Sequence, residues 1–321
     1  MFTDLPESAL RDYRSAVADP PDFDVFWERT LAESRRHPLL TRLEPVDTGL
    51  TTLDVYDVRF GGYAGEEVAA WLRVPRGADG PLAAVVQFHG YGRGRGDAVE
   101  NLLWASAGYA HLELDTRGQG WSGSRGVTPD SGPGAGQVPG FLTRGIGDPE
   151  TYYYRRVFAD AVRAVEVARS LDAVDPLRVS VFGVSQGGGI ALAVAGLVPG
   201  LSRVVARVPF LCDIPRGIVA SDRTPFRELT DHLAHYRDRT EDVLRTLSYF
   251  DGVNFAARAS APATFTVALM DPICPPSTVY AAYNAYAGPK TLHTWRYNGH
   301  EGGGVDDDLL TIRALSGQAT S

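Results

Sequence analysis

Residues 177–197 read LRVSVFGVSQGGGIALAVAGL, and three successive phases of that string set the architecture of the chain. Leu177 to Phe182 is a short, largely apolar run of the kind a buried strand needs, and the Gly/Ala-rich stretch from Gly187 reads as a helix whose small side chains allow close packing on a sheet. Between them lies Gly183-Val184-Ser185-Gln186-Gly187. A strand that turns sharply into a helix leaves no space for Cβ atoms beside the central residue, so Gly183 and Gly187 answer a steric demand of such a turn. The turn holds the Ser185 hydroxyl clear of the backbone, as a nucleophile requires.

A serine hydroxyl is a weak nucleophile alone. It needs a base to take its proton and a third group to orient that base, and after a turn of this form they follow in the order Ser, Asp or Glu, His. Thr264 to Leu269 (TFTVAL) reads as a buried strand running into Met270-Asp271-Pro272, which sets the Asp271 carboxylate at a strand's carboxyl end, and Pro275 and Pro276 then start a helix. Thr291 to Tyr297 reads as the last strand and is followed by Asn298-Gly299-His300-Glu301-Gly302, so His300 falls on the loop beyond it. The other histidines are worse placed as bases: His37 precedes the core, His111 opens a strand, His293 lies within one, and His232 and His235 belong to a charged surface helix. Asp271 has a second reading as the cap of the following helix. Glu301 competes as the orienting group, but adjacent side chains diverge, and Asp271 is preferred.

Attack on an ester also needs donors for the oxyanion, usually the amide after the nucleophile and one from a loop after an earlier strand. Gln186 supplies the first. Ala83 to Phe88 is an apolar strand ending in His89-Gly90-Tyr91-Gly92, and the Tyr91 amide is the expected second donor, with His89 orienting that loop.

Strand candidates at 53–60, 67–75, 83–89, 111–115, 177–183, 203–210, 264–269 and 291–297 alternate with helical stretches. That alternation predicts an α/β fold with a mainly parallel central sheet and helices on both faces. The clearest helix is Tyr152 to Leu171, where Phe158, Ala161, Val162, Val165 and Ala168 form an apolar stripe with Arg and Asp between them. Ligands collect beyond the carboxyl ends of the strands in such sheets, where Tyr91, Ser185, Asp271 and His300 converge. The whole chain, 1–321, is read as a single domain with a helical arm over 1–40. Residues 116–150, with Ser122-Gly123-Ser124, Ser131-Gly132-Pro133-Gly134 and Pro139-Gly140, read as a long irregular loop. Residues 212–258, before the Asp-bearing strand, read as an inserted set of charged helices forming a cap or an oligomer contact.

Composition fits without deciding anything. The 321 residues are 44% apolar, enough for a large core, and the net charge of −8 has no block of like charges, which argues against a nucleic-acid surface. Lys290 is the only lysine. No segment reaches the roughly 20 apolar residues of a membrane span, and the first residues carry no basic stretch followed by an apolar run, so the expected location is cytoplasmic. Cys212 and Cys274 have no metal-site spacing and read as buried thiols, and no metal or organic cofactor is expected.

Further motifs lie around these: Pro20-Pro21-Asp22-Phe23-Asp24 with Phe26-Trp27, Arg117-Gly118-Gln119, and Asp148-Pro149-Glu150 with Tyr152-Tyr153-Tyr154-Arg155-Arg156. Others are Leu247 to Phe255 (LSYFDGVNF), Cys274-Pro275-Pro276-Ser277-Thr278, and Gly299-His300-Glu301. With Gly183 to Gly188, they make nearly the whole chain resemble the acetyl xylan esterase and cephalosporin C deacetylase family of carbohydrate esterases, within the α/β-hydrolase fold. RGQ, GxSQG and HE in this order are specific to that family. The resemblance implies a triad of Ser185, Asp271 and His300, an oxyanion hole from the amides of Tyr91 and Gln186, and Arg117, Gly118 and Gln119 as supports of the site, with Gly183, Gly187 and Glu301 also expected as structural supports. It also implies a homo-oligomer, a hexamer built as a trimer of dimers, admitting only small acetylated substrates such as xylooligosaccharides, other acetylated sugars or cephalosporin C.

The expected chemistry is two-step acyl transfer from an acetyl ester to Ser185 and then to water. The same residues would serve another ester, lactone or thioester, and a non-catalytic binding protein stands as the remote alternative. Residues 212–230 match the family least well. Arg93 and Arg95 follow Tyr91 closely and read by default as solvated surface charge, although an Arg93 that faced the site would favour an anionic substrate.

Overall fold

The computed structural model describes residue 2 and residues 4–131 and 137–317. Met1, Thr3, residues 132–136 of the Gly-rich loop, where the Gly132-Pro133-Gly134 part of the loop reading falls, and residues 318–321 lie outside the described residues. Among the described residues, nine strands form one sheet: β1 Leu40–Val46, β2 Leu53–Gly61, β3 Glu67–Pro75, β4 Leu82–Phe88, β5 Ala110–Leu114, β6 Val174–Val184, β7 Arg203–Arg207, β8 Ala263–Ala268 and β9 Lys290–Trp295. Their order is β1-β2-β3-β5-β4-β6-β7-β8-β9. From β5 through β4 to β9 every pairing is parallel, and β1, β2, β3 and β5 pair antiparallel, so the sheet is mixed with a parallel core that carries the site.

The alternation of side chains along the strands divides the interior into two layers. Ala84 and Val86 of β4 face a large core with the helices Tyr153–Ser170, Gln186–Leu197 and Pro276–Ala285. Val85, between them, faces a smaller cluster with Trp104, Phe182 and Val205, against which Ile312 and Leu315 of the helix Val305–Leu315 pack. Helices therefore cover both faces of the sheet. Among the described residues, no helix is long and apolar enough to cross a membrane.

Three departures from the sequence reading have clear causes. β1 carries no apolar alternation because it is an edge strand exposed at every residue from Leu40 to Pro45, with no face to bury. The run 203–210 leaves the sheet at Arg207, and its apolar end packs beneath the Ser185 turn, where the Phe210 amide donates to the Ser185 carbonyl at 2.9 Å. The helix Tyr153–Ser170 buries four charged residues, Arg155, Arg156, Asp160 and Arg163, as well as its stripe. Arg117 grips both oxygens of Asp160 at 2.5 and 2.8 Å, and Arg156 grips both oxygens of Asp130 at 2.7 and 2.9 Å. Buried charges of this kind need partners with matched geometry, and the bidentate fork of arginine supplies it.

Residues 212–258 hold four helices, Ile214–Ala220, Phe226–His235, Thr240–Ser248 and Gly252–Ala256, between β7 and β8. The N-terminal arm, with helices Glu7–Arg11 and Phe23–Ser34, packs against them: Trp27 Nε1 donates to the Tyr249 carbonyl at 3.0 Å and Tyr13 donates to Asp213 at 2.9 Å.

Candidate active site

Ser185 stands where β6 gives way to the helix Gln186–Leu197, with φ +58° and ψ −119°. A non-glycine residue held at positive φ is strained, and the surrounding contacts hold it there. Its N–H donates to the Arg207 carbonyl at 2.9 Å, and its own carbonyl accepts from Gly189 and Phe210. The flanking glycines are needed for the reason the sequence suggested. A Cβ on Gly183 would stand 2.1 Å from the Gly187 main chain, and a Cβ on Gly187 would stand 2.1 Å from the Phe88 carbonyl oxygen.

The loops beyond β8 and β9 bring Asp271 and His300 to this turn. Ser185 Oγ donates to His300 Nε2 at 3.0 Å, and His300 Nδ1 donates to Asp271 Oδ2 at 2.8 Å. The other Asp271 oxygen accepts from the amides of Ile273 and Cys274 at 2.8 and 3.0 Å, so the carboxylate both caps its own turn and holds the imidazole. Asp271 is fully buried, Ser185 nearly so, and His300 opens to solvent on one side. Glu301 is directed elsewhere: it is exposed, and its carboxylate accepts from the Gly299 amide at 2.9 Å.

Tyr91 and Gln186 flank Ser185 from the β4 loop and the helix start. Among the described residues, neither main-chain N–H donates to a loop or turn carbonyl. Their positions are set by a pair of buried amide side chains. Gln119 Nε2 donates to Gln186 Oε1 at 2.9 Å and Gln186 Nε2 returns a bond to Gln119 Oε1 at 3.2 Å. The same Gln119 oxygen accepts the Gly92 amide at 2.6 Å, and the same Gln186 nitrogen donates to the His89 carbonyl at 3.2 Å. The loop carrying Tyr91 is thus tied on either side of that residue to the serine turn. Tyr154 OH donates to Gln186 Oε1 at 2.8 Å, and Gln119 Nε2 donates to Tyr153 OH at 3.1 Å. The Tyr91 ring is fixed from its far end, where its hydroxyl donates to Glu228 at 2.6 Å and accepts from the Phe141 amide at 3.0 Å. Burial pushes the Glu228 carboxyl above its ordinary range, with the Tyr91 bond opposing.

Arg117 and Gly118 lie one layer further out. Arg117 is buried among Asp160, Glu66 and Asp130, and a Cβ on Gly118, at φ +69°, would meet Asp130 at 3.0 Å. His89 has its Nε2 3.2 Å from Glu113, which also accepts from Arg73 at 2.6 Å. Arg95 is not solvated surface charge. It is buried, bonded to Asp57 at 2.6 Å and to the Ala70 carbonyl at 2.8 Å, with its guanidinium 3.9 Å over the Trp71 ring. Arg93 does remain exposed, and it lines a cavity of about 570 Å³ together with His89, Tyr91, Trp121, Ser185 and His300.

Sequence reasoning missed Tyr153, Tyr154 and Glu228. A run of three tyrosines at a helix start was a usable signal, because a tyrosine is rarely buried without a partner for its hydroxyl. Glu228 gave none, since it sits in a helix otherwise patterned like a surface helix. Among the described residues, Asp271, Cys274 and His300 form the one group whose potential metal-ligating atoms lie within 4.8 Å of one another. Burial pushes the Cys274 thiol well above its ordinary range, which keeps it protonated, and Asp271 is already committed to His300 and two amides.

Residues 1–311 match the sequence profile of the family described as Acetyl xylan esterase (AXE1). Two solved structures are similar over nearly the full length of both chains. The acetyl xylan esterase from Paenibacillus sp. R4 is 39% identical with a TM-score of 0.91, covering 98% of this chain and 100% of that one. Acetyl xylan esterase 1 from Thermoanaerobacterium sp. JW/SL YS485 is 33% identical with a TM-score of 0.88, covering 98% and 99%. In sequence, 85% of the chain is 29% identical to the acetyl esterase Axe7A of Xylanibacter ruminicola, and the match spans 61% of that relative's length.

Proposed function

The chain belongs to the acetyl xylan esterase family, and from that premise we propose that it hydrolyses acetyl esters of small alcohols by acyl transfer through Ser185, His300 and Asp271. The observation that carries this reading is the continuous hydrogen-bonded line from Ser185 Oγ through the His300 ring to a buried carboxylate, at 3.0 and 2.8 Å.

The steps follow from that line. Ser185 Oγ forms a bond to the acetyl carbonyl carbon as its proton passes to His300 Nε2, and the carbonyl oxygen takes the negative charge against the amides of Tyr91 and Gln186. His300 then protonates the leaving alcohol oxygen as the ester C–O bond breaks. Water adds to the acetyl-serine with His300 accepting its proton, acetate departs, and the proton returns to Ser185 Oγ. Asp271 stays ionised throughout and stabilises the imidazolium that forms twice in the cycle. A donor pair fixed in advance contributes most where charge develops, which is why the Gln119–Gln186 amide pair belongs to this account.

The ester is an acetylated sugar or acetylated xylooligosaccharide, with cephalosporin C as a further candidate. The test is a panel of p-nitrophenyl acetate, butyrate and octanoate beside acetylated xylobiose and cephalosporin C, with Ser185→Ala as the control. Preference for acetate with turnover of the natural acetates is the expected result. Preference for longer acyl chains, or inertness toward both natural acetates, would overturn the substrate assignment.

A further inference from the structure

The cavity at the Ser185 turn has two formally charged side chains in its wall besides the histidines, Arg93 and Glu100. They are differently employed. Glu100 accepts the main-chain N–H of Asp97 at 2.9 Å, which turns its carboxylate onto its own loop. The Arg93 guanidinium makes no hydrogen bond and no ion pair among the described residues. Neighbouring cations are not left this way: Arg95 is paired with Asp57, and Arg125 with Asp97.

Arg93 is nevertheless anchored through its main chain. Its amide donates to the Gly90 carbonyl at 3.2 Å, and its guanidinium lies against Gly123, where a Cβ would come within 3.0 Å of Cζ. The absent side chain at Gly123 is what lets the cation lie there. Beside it, half-exposed Trp121 packs over Gly92 and offers an aromatic face to the same cavity. A positioned, unpaired guanidinium presents a planar fork of donors that fits a carboxylate. The chain as a whole carries a net charge of −8, so an anionic ligand would approach this cavity against the general field and would need a local cation to be held.

We infer that Arg93 selects acetyl esters whose alcohol portion carries a carboxylate, binding that group at the cavity wall while the acetyl group occupies the Ser185 turn. This rests on the esterase reading of the same cavity. Arg93 is a specificity-determining residue here and takes no part in bond making.

The experiment compares a matched pair, 4-acetoxybenzoate and its methyl ester, and reads the ratio of the two kcat/KM values. In Arg93→Gln the ratio should shift about fivefold toward the neutral ester, the size expected of one partly solvated ion pair. Arg93→Lys should recover part of it, and added salt should narrow the preference in the wild type but not in Arg93→Gln. A ratio that is the same in wild type and Arg93→Gln would overturn the inference. Equilibrium binding of the two esters to Ser185→Ala, with and without Arg93→Gln, gives the same double ratio without turnover. Charge discrimination in binding without hydrolysis by the wild type would therefore sink the esterase reading alone. Hydrolysis with an unchanged ratio would sink the Arg93 assignment alone.

Discussion

Replacing Gln119 with methionine keeps the length and volume of the side chain and removes its hydrogen bonding. Gln119 is fully buried, and its amide takes part in four hydrogen bonds, with the Gly92 amide, twice with Gln186, and with Tyr153 OH. In Gln119→Met the Gly92 N–H is left buried without a partner, at about 1–3 kcal/mol, and the paired bonds to Gln186 add about 1 kcal/mol, so stability should fall by about 2–4 kcal/mol. The kinetic effect has a different origin. Gly92 N–H and the His89 carbonyl are the two anchors on either side of Tyr91, and Gln119 holds the first directly and the second through Gln186. Loss of one oxyanion donor lowers kcat by roughly 10²–10³. A displaced donor should give part of that, about 10- to 100-fold, with little change in KM because the ground-state ester does not depend on the donor. Urea unfolding establishes the stability loss, and steady-state kinetics on p-nitrophenyl acetate give kcat and KM separately. A folded, destabilised Gln119→Met with kcat within about twofold of wild type would refute the idea that this amide pair positions the oxyanion donor, leaving it a packing role only.

Two further outcomes concern stability. His111 is fully buried with its Nε2 3.1 Å from Gln87, and burial, opposed by Glu113 and assisted by Arg73, pushes its pKa from 6.5 down to about 3. It is neutral in the folded protein but takes up a proton when unfolded below pH 6.5, so its contribution is lost as pH falls from about 6.5 toward 3, amounting to about 2 kcal/mol at pH 5. Urea unfolding of wild type and His111→Gln at pH 8 and pH 5 should show that much less pH dependence in the variant, and equal pH dependence would contradict the assignment. Gly187→Ala places a Cβ 2.1 Å from the Phe88 carbonyl oxygen, a main-chain atom with little room to move. It should lower stability by about 3 kcal/mol and lower turnover with it, and an unaltered urea midpoint would show that the turn has slack the structure does not display.

Much of the fold was legible because the parallel core writes itself as apolar runs ending in loop residues, and each of β4, β6, β8 and β9 ends beside a residue of the site. That Ser185, Asp271 and His300 come together was readable for the same reason: residue type, chain order and position at a strand's carboxyl end coincide. What lay hidden was long-range and polar. β1 has no buried face and so no pattern. Arg95 looked like surface charge because nothing local announces Asp57, Ala70 and Trp71 as its surroundings, which come from β2 and β3. The amide pair between Gln119 and Gln186 joins residues 67 apart, and a single sequence carries no trace of which buried polar groups find each other. Glu228 was hidden likewise, since its partner Tyr91 lies 137 residues away.

In the proposed mechanism the acetyl group passes through Ser185. Quenching the reaction with p-nitrophenyl acetate in acid during turnover and mapping the protein by mass spectrometry would show whether it does. An acetyl group on the Ser185 peptide, absent from Ser185→Ala and from His300→Ala, is the result expected. Acetylation elsewhere, or a folded Ser185→Ala that turns over the ester at the wild-type rate, would contradict it.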